Sequence, residues 1–158
     1  MGTRSTEESQ RFRPSSREDQ VVQKAQEHFE RTLISIQGQL AGSVAALESS
    51  YADSELNYGE IFVRDNVPVM IYLLVQGRFA IVKQFLKVCL DLQSTSVQTR
   101  GVFPTSFVEE EGNLVADYGQ RSIGRITSVD PSLWWPILCW IYVKRSGDTD
   151  FGRSPEVQ

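Results

Sequence analysis

The sequence predicts an all-α protein built from paired helices, with a short β-hairpin set into a loop region. Three observations carry that expectation. Apolar residues recur at helical spacing in several long stretches, and glycines close those stretches where a helix would stop. The stretch from Gly101 to Ser128 instead holds short extended pieces separated by turn-forming residues. Helix pairs alternating with elaborate loops suggest an architecture of repeating hairpins, although no sequence motif repeats.

Taken in order, residues 1–18 mix Ser, Thr, Gln, Arg and Glu with almost no apolar content and read as a flexible polar tail. From Asp19, a candidate N-cap, Val22, Ala25, Phe29, Leu33 and Ile36 keep helical spacing until Gly38 and Gly42 break the rhythm. Residues 43–60 form a loop that ends in a short extended piece, Glu60 to Val63. Asp65 is the next N-cap candidate, with Pro68 behind it and a helix running through Met70, Leu73 and Leu74 to Gly77. A second helix carries Ile81, Val82, Phe85, Leu86, Cys89 and Leu92, and the short turn between the two predicts that they pack antiparallel.

Ser106-Phe107-Val108 and Leu114-Val115-Ala116 flank Glu109-Glu110-Glu111-Gly112-Asn113, a hairpin with an acidic, solvated turn. Asp130 and Pro131 open the last long helix, which Gly147 closes. Pro136 inside it removes a backbone donor and is expected to kink it at about 3 kcal/mol. Ser154-Pro155-Glu156 has the form of a further helix start two residues before the end, so the chain reads as an amino-terminal fragment.

Bulk properties narrow the function classes. Hydrophobic residues are 41% and charged residues 23% of the chain, and the net charge is -4. Without a basic patch, nucleic acid is not an expected partner. Cys89 and Cys139 lie in apolar runs and read as buried thiols, and with His28 the sole histidine no metal or other cofactor is expected. No apolar run is long enough to span a bilayer. Met1-Gly2-Thr3-Arg4-Ser5-Thr6 fits a myristoylation pattern, yet no polybasic patch supplies a second anchor. The expected location is the cytoplasm, with no membrane contact.

Three groups could carry chemistry. Arg64 and Asp65, at the mouth of a helix, can hold vicinal sugar hydroxyls by donating and accepting; alternatively Asp65 caps the helix and Arg64 pairs at the surface. Asp117, before Tyr118-Gly119, can orient a ligand or stabilise its turn. Asp130 precedes Trp134 and Trp135, which point about 100° apart on a helix. Both cannot face one core element, and an exposed indole stacks well on a sugar ring. Glycosidic hydrolysis needs a flanking pair of carboxylates, and each aspartate here is better explained as a cap, a turn residue or a substrate holder.

The order of the blocks says more than any one block. Gln37-Gly38, Gly42-Ser43-Val44-Ala45-Ala46, Leu56-Asn57-Tyr58 and Phe62-Val63-Arg64-Asp65-Asn66-Val67-Pro68 come first. Ile81-Val82-Lys83-Gln84-Phe85-Leu86, Gly101-Val102-Phe103-Pro104-Thr105-Ser106-Phe107 and Ala116-Asp117-Tyr118-Gly119 follow. Ser122-Ile123-Gly124-Arg125, Val129-Asp130, Leu133-Trp134-Trp135 and Ser146-Gly147-Asp148 complete the series. This succession resembles the alkaline/neutral invertases, the sucrose hydrolases of glycoside hydrolase family 100, over roughly residues 20–158.

The resemblance implies an incomplete (α/α)6 barrel, a six-hairpin toroid, with residues 19–158 as its amino-terminal part. It implies sucrose or a related small sugar as ligand, and Arg64, Asp65, Asp117, Asp130, Trp134 and Trp135 as sugar-pocket residues. It also implies hydrolysis without a metal, with the acid and its partner carboxylate in segments after Gln158. No catalytic residue is therefore assigned in this chain, which alone is expected to be inactive. Pro136 departs from the family, which has an apolar helix former there. Two other expectations stand beside the enzyme fragment: a non-catalytic helical module whose exposed edges self-associate into a homo-oligomer or bind a partner, and a related hydrolase acting on another glycoside.

Overall fold

The computed structural model describes residues 16–45, 58–120 and 129–158. The chain divides into two units, Met1–Glu30 and Arg31–Gln158. The first holds most of helix α1 (Arg17–Thr32), none of whose residues is buried. Its start is a reciprocal box: the Asp19 N–H donates to Ser16 Oγ at 3.1 Å, and the Ser16 N–H donates to Asp19 Oδ2 at 3.1 Å. Two orphan donors of the first turn are thereby satisfied. Ser16 is thus the cap and Asp19 its first-turn partner, and the helix begins inside the stretch expected to be a tail.

The expected helix over residues 19–36 ends at Thr32, because Leu33–Ile36 is strand β1, paired antiparallel with β2 (Gln39–Ser43). Gln37 (φ 52°) and Gly38 (φ 76°) are both left-handed, the requirement of a tight two-residue hairpin turn. Ile34 faces Gly42 and Ser35 faces Leu40, which leaves Ala41 as the extra residue of a β-bulge. A bulge adds local twist, and here it falls between Leu33 and Ile36, both of which are buried. The bulged strand itself is β2, where Ala41 and Gly42 are buried side by side; on its partner β1 the two buried positions lie three apart, which looks like a helical face in the sequence.

Strand β3 (Ile61–Phe62) pairs with β4 (Ser106–Glu110), and β4 pairs with β5 (Asn113–Asp117), giving a three-stranded antiparallel sheet in the order β3-β4-β5. The β4–β5 turn is Glu111-Gly112, again with both φ values positive. The Glu109 carboxylate accepts from the Gln37 N–H at 2.6 Å and so ties one hairpin turn to the other hairpin.

Helices α2 (Val63–Val75), α3 (Phe79–Asp91) and α4 (Asp130–Ser146) pack on one another, and β2 packs on α3. Met70, Leu73, Val82, Phe85, Leu86 and Leu138 are fully enclosed, with Ile61 and Phe107 supplied by the sheet. The rings of Phe85 and Phe107 lie 6.1 Å apart, joining helix core to sheet core. Gly77 at φ 75° stops α2, and Gly147 at φ 77° caps α4. Helix α4 runs on through Pro136, which lies at an exposed position.

The all-α expectation, and with it the incomplete (α/α)6 toroid, is corrected: the described residues form five helices and two small antiparallel sheets. The expected hairpin is present, but β3 extends it into a sheet whose inner residues are core. Of the stretch expected to be helical before Gly38, Leu33–Ile36 instead forms the second sheet with β2. The fifth helix, α5 (Thr149–Gly152), is opened by Asp148, whose Oδ1 accepts from the Phe151 N–H at 3.1 Å. Past it, the N–H groups of Val157 and Gln158 bond the Ser154 carbonyl at 3.0 and 3.2 Å, so Ser154 begins one further turn.

Candidate functional site

The strand β3 leads without a break into α2, and this junction positions the first site residues. Helix α2 begins three residues earlier than expected because the Val63 N–H is bonded by the Thr105 carbonyl at 3.0 Å, across the sheet. That bond does the work of a side-chain cap, so Asp65 is not the N-cap and sits in the first turn. There its charge suits the positive end of the helix, and its side chain is left for other partners. Helix α4 likewise takes Val129 as N-cap, without a side-chain bond, and Asp130 lies in its first turn.

These two helix starts meet. Arg64 Nε donates to Asp65 Oδ1 at 3.1 Å, and Arg64 Nη1 lies 3.5 Å from Asp130 Oδ2. The hydrogen bond and charge of Asp65, with Asp130 adding to them, raise the guanidinium pKa above its ordinary value. Arg64 and Asp65 are more than half exposed, so stability offers little reason for the cluster: exposed pairs contribute roughly 0–1 kcal/mol. Planar donors set between two acceptors can both donate to and accept from hydroxyl groups. Trp134 follows Asp130 by four residues, hence on the same face of α4, and its indole is 39% exposed.

Two further expected site residues are buried. Trp135 is buried, stacks on Phe103 with centroids 5.0 Å apart, and donates Nε1–H to the Leu86 carbonyl at 3.0 Å. It is a core residue with its polar atom satisfied. Asp117 is buried at the end of β5, where Oδ1 accepts from the N–H groups of Gly119 (3.0 Å) and Gln120 (2.7 Å). That is the turn-stabilising role. Arg121, Gly124 and Arg125, which follow it in sequence, lie outside the described residues.

Beside Asp65, a cavity of about 170 Å³ opens between β2 and α2, lined also by Ser43, Val44, Glu60, Phe62 and Asn66. The sequence reading missed Glu60 and Asn66. Asn66 could have been noticed as an amide in the apolar row Val63, Val67, Met70. Glu60 has no such signal, being one of many acids near a turn. Among the described residues, no group of three or more His, Cys, Asp or Glu is arranged to hold a metal ion. Nor is any described helix long and apolar enough to cross a membrane. Burial pushes the Cys89 and Cys139 thiol pKa values up, as for inert core cysteines.

Residues 25–158 match the profile of the alkaline and neutral invertases. This chain belongs to that family. Among curated relatives, Alkaline/neutral invertase CINV1 of Arabidopsis thaliana is 37% identical over 150 residues, covering 87% of this chain and 27% of its own length. Neutral/alkaline invertase 1, mitochondrial, of Oryza sativa subsp. japonica is 37% identical over 145 residues, with coverage of 81% and 23%. Neutral/alkaline invertase 3, chloroplastic, from the same rice is 32% identical over 166 residues, with coverage of 94% and 27%. This invertase-family chain therefore spans about a quarter of the length of the curated relatives it matches. Their names place members in mitochondria and chloroplasts, and a further rice relative is called cytosolic.

Proposed function

We propose that this chain supplies the sugar-holding part of a sucrose hydrolase, with Arg64, Asp65 and Asp130 gripping hydroxyls and Trp134 offering a stacking face. The carrying observation is the Arg64 guanidinium set between Asp65 and Asp130 at the meeting of two helix starts. Membership of the invertase family supports sucrose as the substrate and glucose and fructose as products. Asp117 and Trp135 act behind this grip, holding the turn after β5 and the α4–α3 contact. No cofactor is proposed for the site, and the cytoplasm is the proposed location.

The 158 residues alone are proposed to be inactive, since hydrolysis needs a flanking carboxylate pair in addition to a grip. The test is to assay sucrose hydrolysis by residues 1–158 and by the product of the complete reading frame. Activity in the second and none in the first is the expected result; turnover by residues 1–158 would overturn the inactivity. In the product of the complete reading frame, Asp130→Asn should raise KM with little change in kcat. A large fall in kcat at unchanged KM would make Asp130 a reacting carboxylate instead.

One observation favours a second reading, a non-catalytic interaction module. Leu133, Ile137 and Trp140 form an exposed apolar stripe along α4, at 66%, 47% and 63% exposure. Under that reading residues 1–158 self-associate, which sedimentation measures directly, and the complete reading frame shows no turnover of sucrose or other glycosides.

A further inference from the structure

The cavity beside Asp65 has a second acid in its wall. Glu60 is 7% exposed, and its Oε2 accepts from the Ser106 hydroxyl at 2.6 Å, with Ser106 itself fully buried. Ser106 sits in β4 directly between Phe62 of β3 and Asp117 of β5, so the sheet fixes the hydroxyl that holds the acid. Enclosing a carboxylate is costly unless it is hydrogen-bonded, and an apolar residue at such a place is commonly no less stable. An acid kept there, oriented by a rigid strand and lining a cavity, points to a ligand rich in hydroxyl donors.

The rest of the wall agrees. Asn66 is committed to backbone groups, so Glu60 and Asp65 are the two carboxylates of the lining, while Val44, Phe62 and Val69 supply apolar surface. Acceptors with apolar patches suit a sugar ring, which shows hydroxyls at its edge and C–H groups on its face. At about 170 Å³ the cavity is smaller than the roughly 300–1,000 Å³ of pockets for larger ligands. It therefore suits one ring and not a whole disaccharide.

We infer that Glu60 is a sugar-binding residue, accepting a hydroxyl hydrogen bond from a ring that also meets Asp65 in this cavity, with Ser106 as its positioning residue. The inference rests on the proposed sucrose-hydrolase reading. In the protein from the complete reading frame, Glu60→Ala should raise KM for sucrose about tenfold and leave kcat within about twofold. Glu60→Gln, which keeps an acceptor, should bring KM back to within about threefold of the parent. Ser106→Ala should raise KM a few-fold. If Glu60→Ala fails to fold, Glu60→Asp decides, since it withdraws the acceptor by one methylene and should raise KM more than Glu60→Gln. Unchanged KM values across folded variants, with only Tm falling, would overturn the inference and leave Glu60 a structural acid. A parent protein that turns over no glycoside would instead bring down the reading beneath it.

Discussion

Asn66 of α2 pairs with Ser43 of β2 as a neighbouring strand would: its Oδ1 accepts from the Ser43 N–H at 2.7 Å, and its Nδ2 donates to the Ser43 carbonyl at 2.9 Å. The same Nδ2 donates to the Phe62 carbonyl at 2.9 Å. One buried amide thus closes the end of β2, the last residue of β3 and the first turn of α2. Asn66→Asp keeps the shape, removes both donors and sets carboxylate lone pairs against two carbonyls. Leaving buried polar groups unsatisfied costs about 1–3 kcal/mol each, more where charge is involved. We predict a loss of about 3 kcal/mol, read from the urea midpoint at unchanged m-value; a midpoint equal to that of the parent would refute the bridging role.

The glycine one residue before Ser43 is required by contact and not by its backbone angle. A Cβ on Gly42 would stand 2.7 Å from Ile61 Cγ2 and 2.8 Å from Ile61 Cδ1, and Ile61 is fully buried. The two sheets approach here through the absence of a side chain. Gly42→Ala should cost about 1–3 kcal/mol by overpacking. Combining it with Ile61→Ala should cost less than the sum of the two single changes, a coupling that a double-mutant cycle measures. Strict additivity would show that the sheets can move apart freely.

How far the sequence could be read depends on which signals were local. The β4–β5 hairpin was legible because alternating residues flank Glu111-Gly112, and the Gly77 and Gly147 stops were legible because a left-handed residue ends a helix. Leu33–Ser43 was not, since Leu33 and Ile36 are buried at helical spacing on β1 and the bulge at Ala41 interrupts the alternation of β2. Ile34 and Ile36, both β-branched, and the Gln37-Gly38 pair were the available contrary signs. Arg64, Asp65 and Asp130 could be proposed one by one, but their meeting depends on α2 and α4 starting side by side. Glu60 was illegible for the same reason: its partner Ser106 is 46 residues away.

Asp148 gathers three donors: Lys83 Nζ at 2.6 Å, the Tyr142 hydroxyl at 2.7 Å and the Phe151 N–H at 3.1 Å. The Lys83 hydrogen bond first, then those of Tyr142 and Phe151, hold its carboxyl down to about 2. Burial first, then the bond to Asp148, pushes the Tyr142 hydroxyl up to about 12. Because the folded-state carboxyl is depressed, its contribution is full above the ordinary value near 3.8 and is lost as pH falls through about 2. The amount is on the order of 1–2 kcal/mol, reduced because Lys83 is partly exposed to solvent. Unfolding free energy measured from pH 5 to pH 2 should fall more steeply for the parent than for Asp148→Asn. Parallel slopes would refute the assignment.

The adjacent indoles of α4 give the sharpest separation between core and site. Trp135→Phe keeps most of the stack on Phe103 but removes the only polar donor that side chain brings to the Leu86 carbonyl, at a cost of about 1–3 kcal/mol. Trp134→Phe changes a partly exposed ring with no ring stack among the described residues and should move stability by less than about 0.5 kcal/mol. Under the proposed sugar-holding role, the order should reverse for sugar binding. Trp134→Ala in the product of the complete reading frame should weaken sucrose binding several-fold, through loss of a stacking face beside Asp130. Trp135→Phe should leave binding nearly unchanged once folded protein is counted. Equal effects of the two substitutions on both measurements would mean that α4 presents no distinct sugar face, and the grip formed by Arg64, Asp65 and Asp130 would then stand without an aromatic platform.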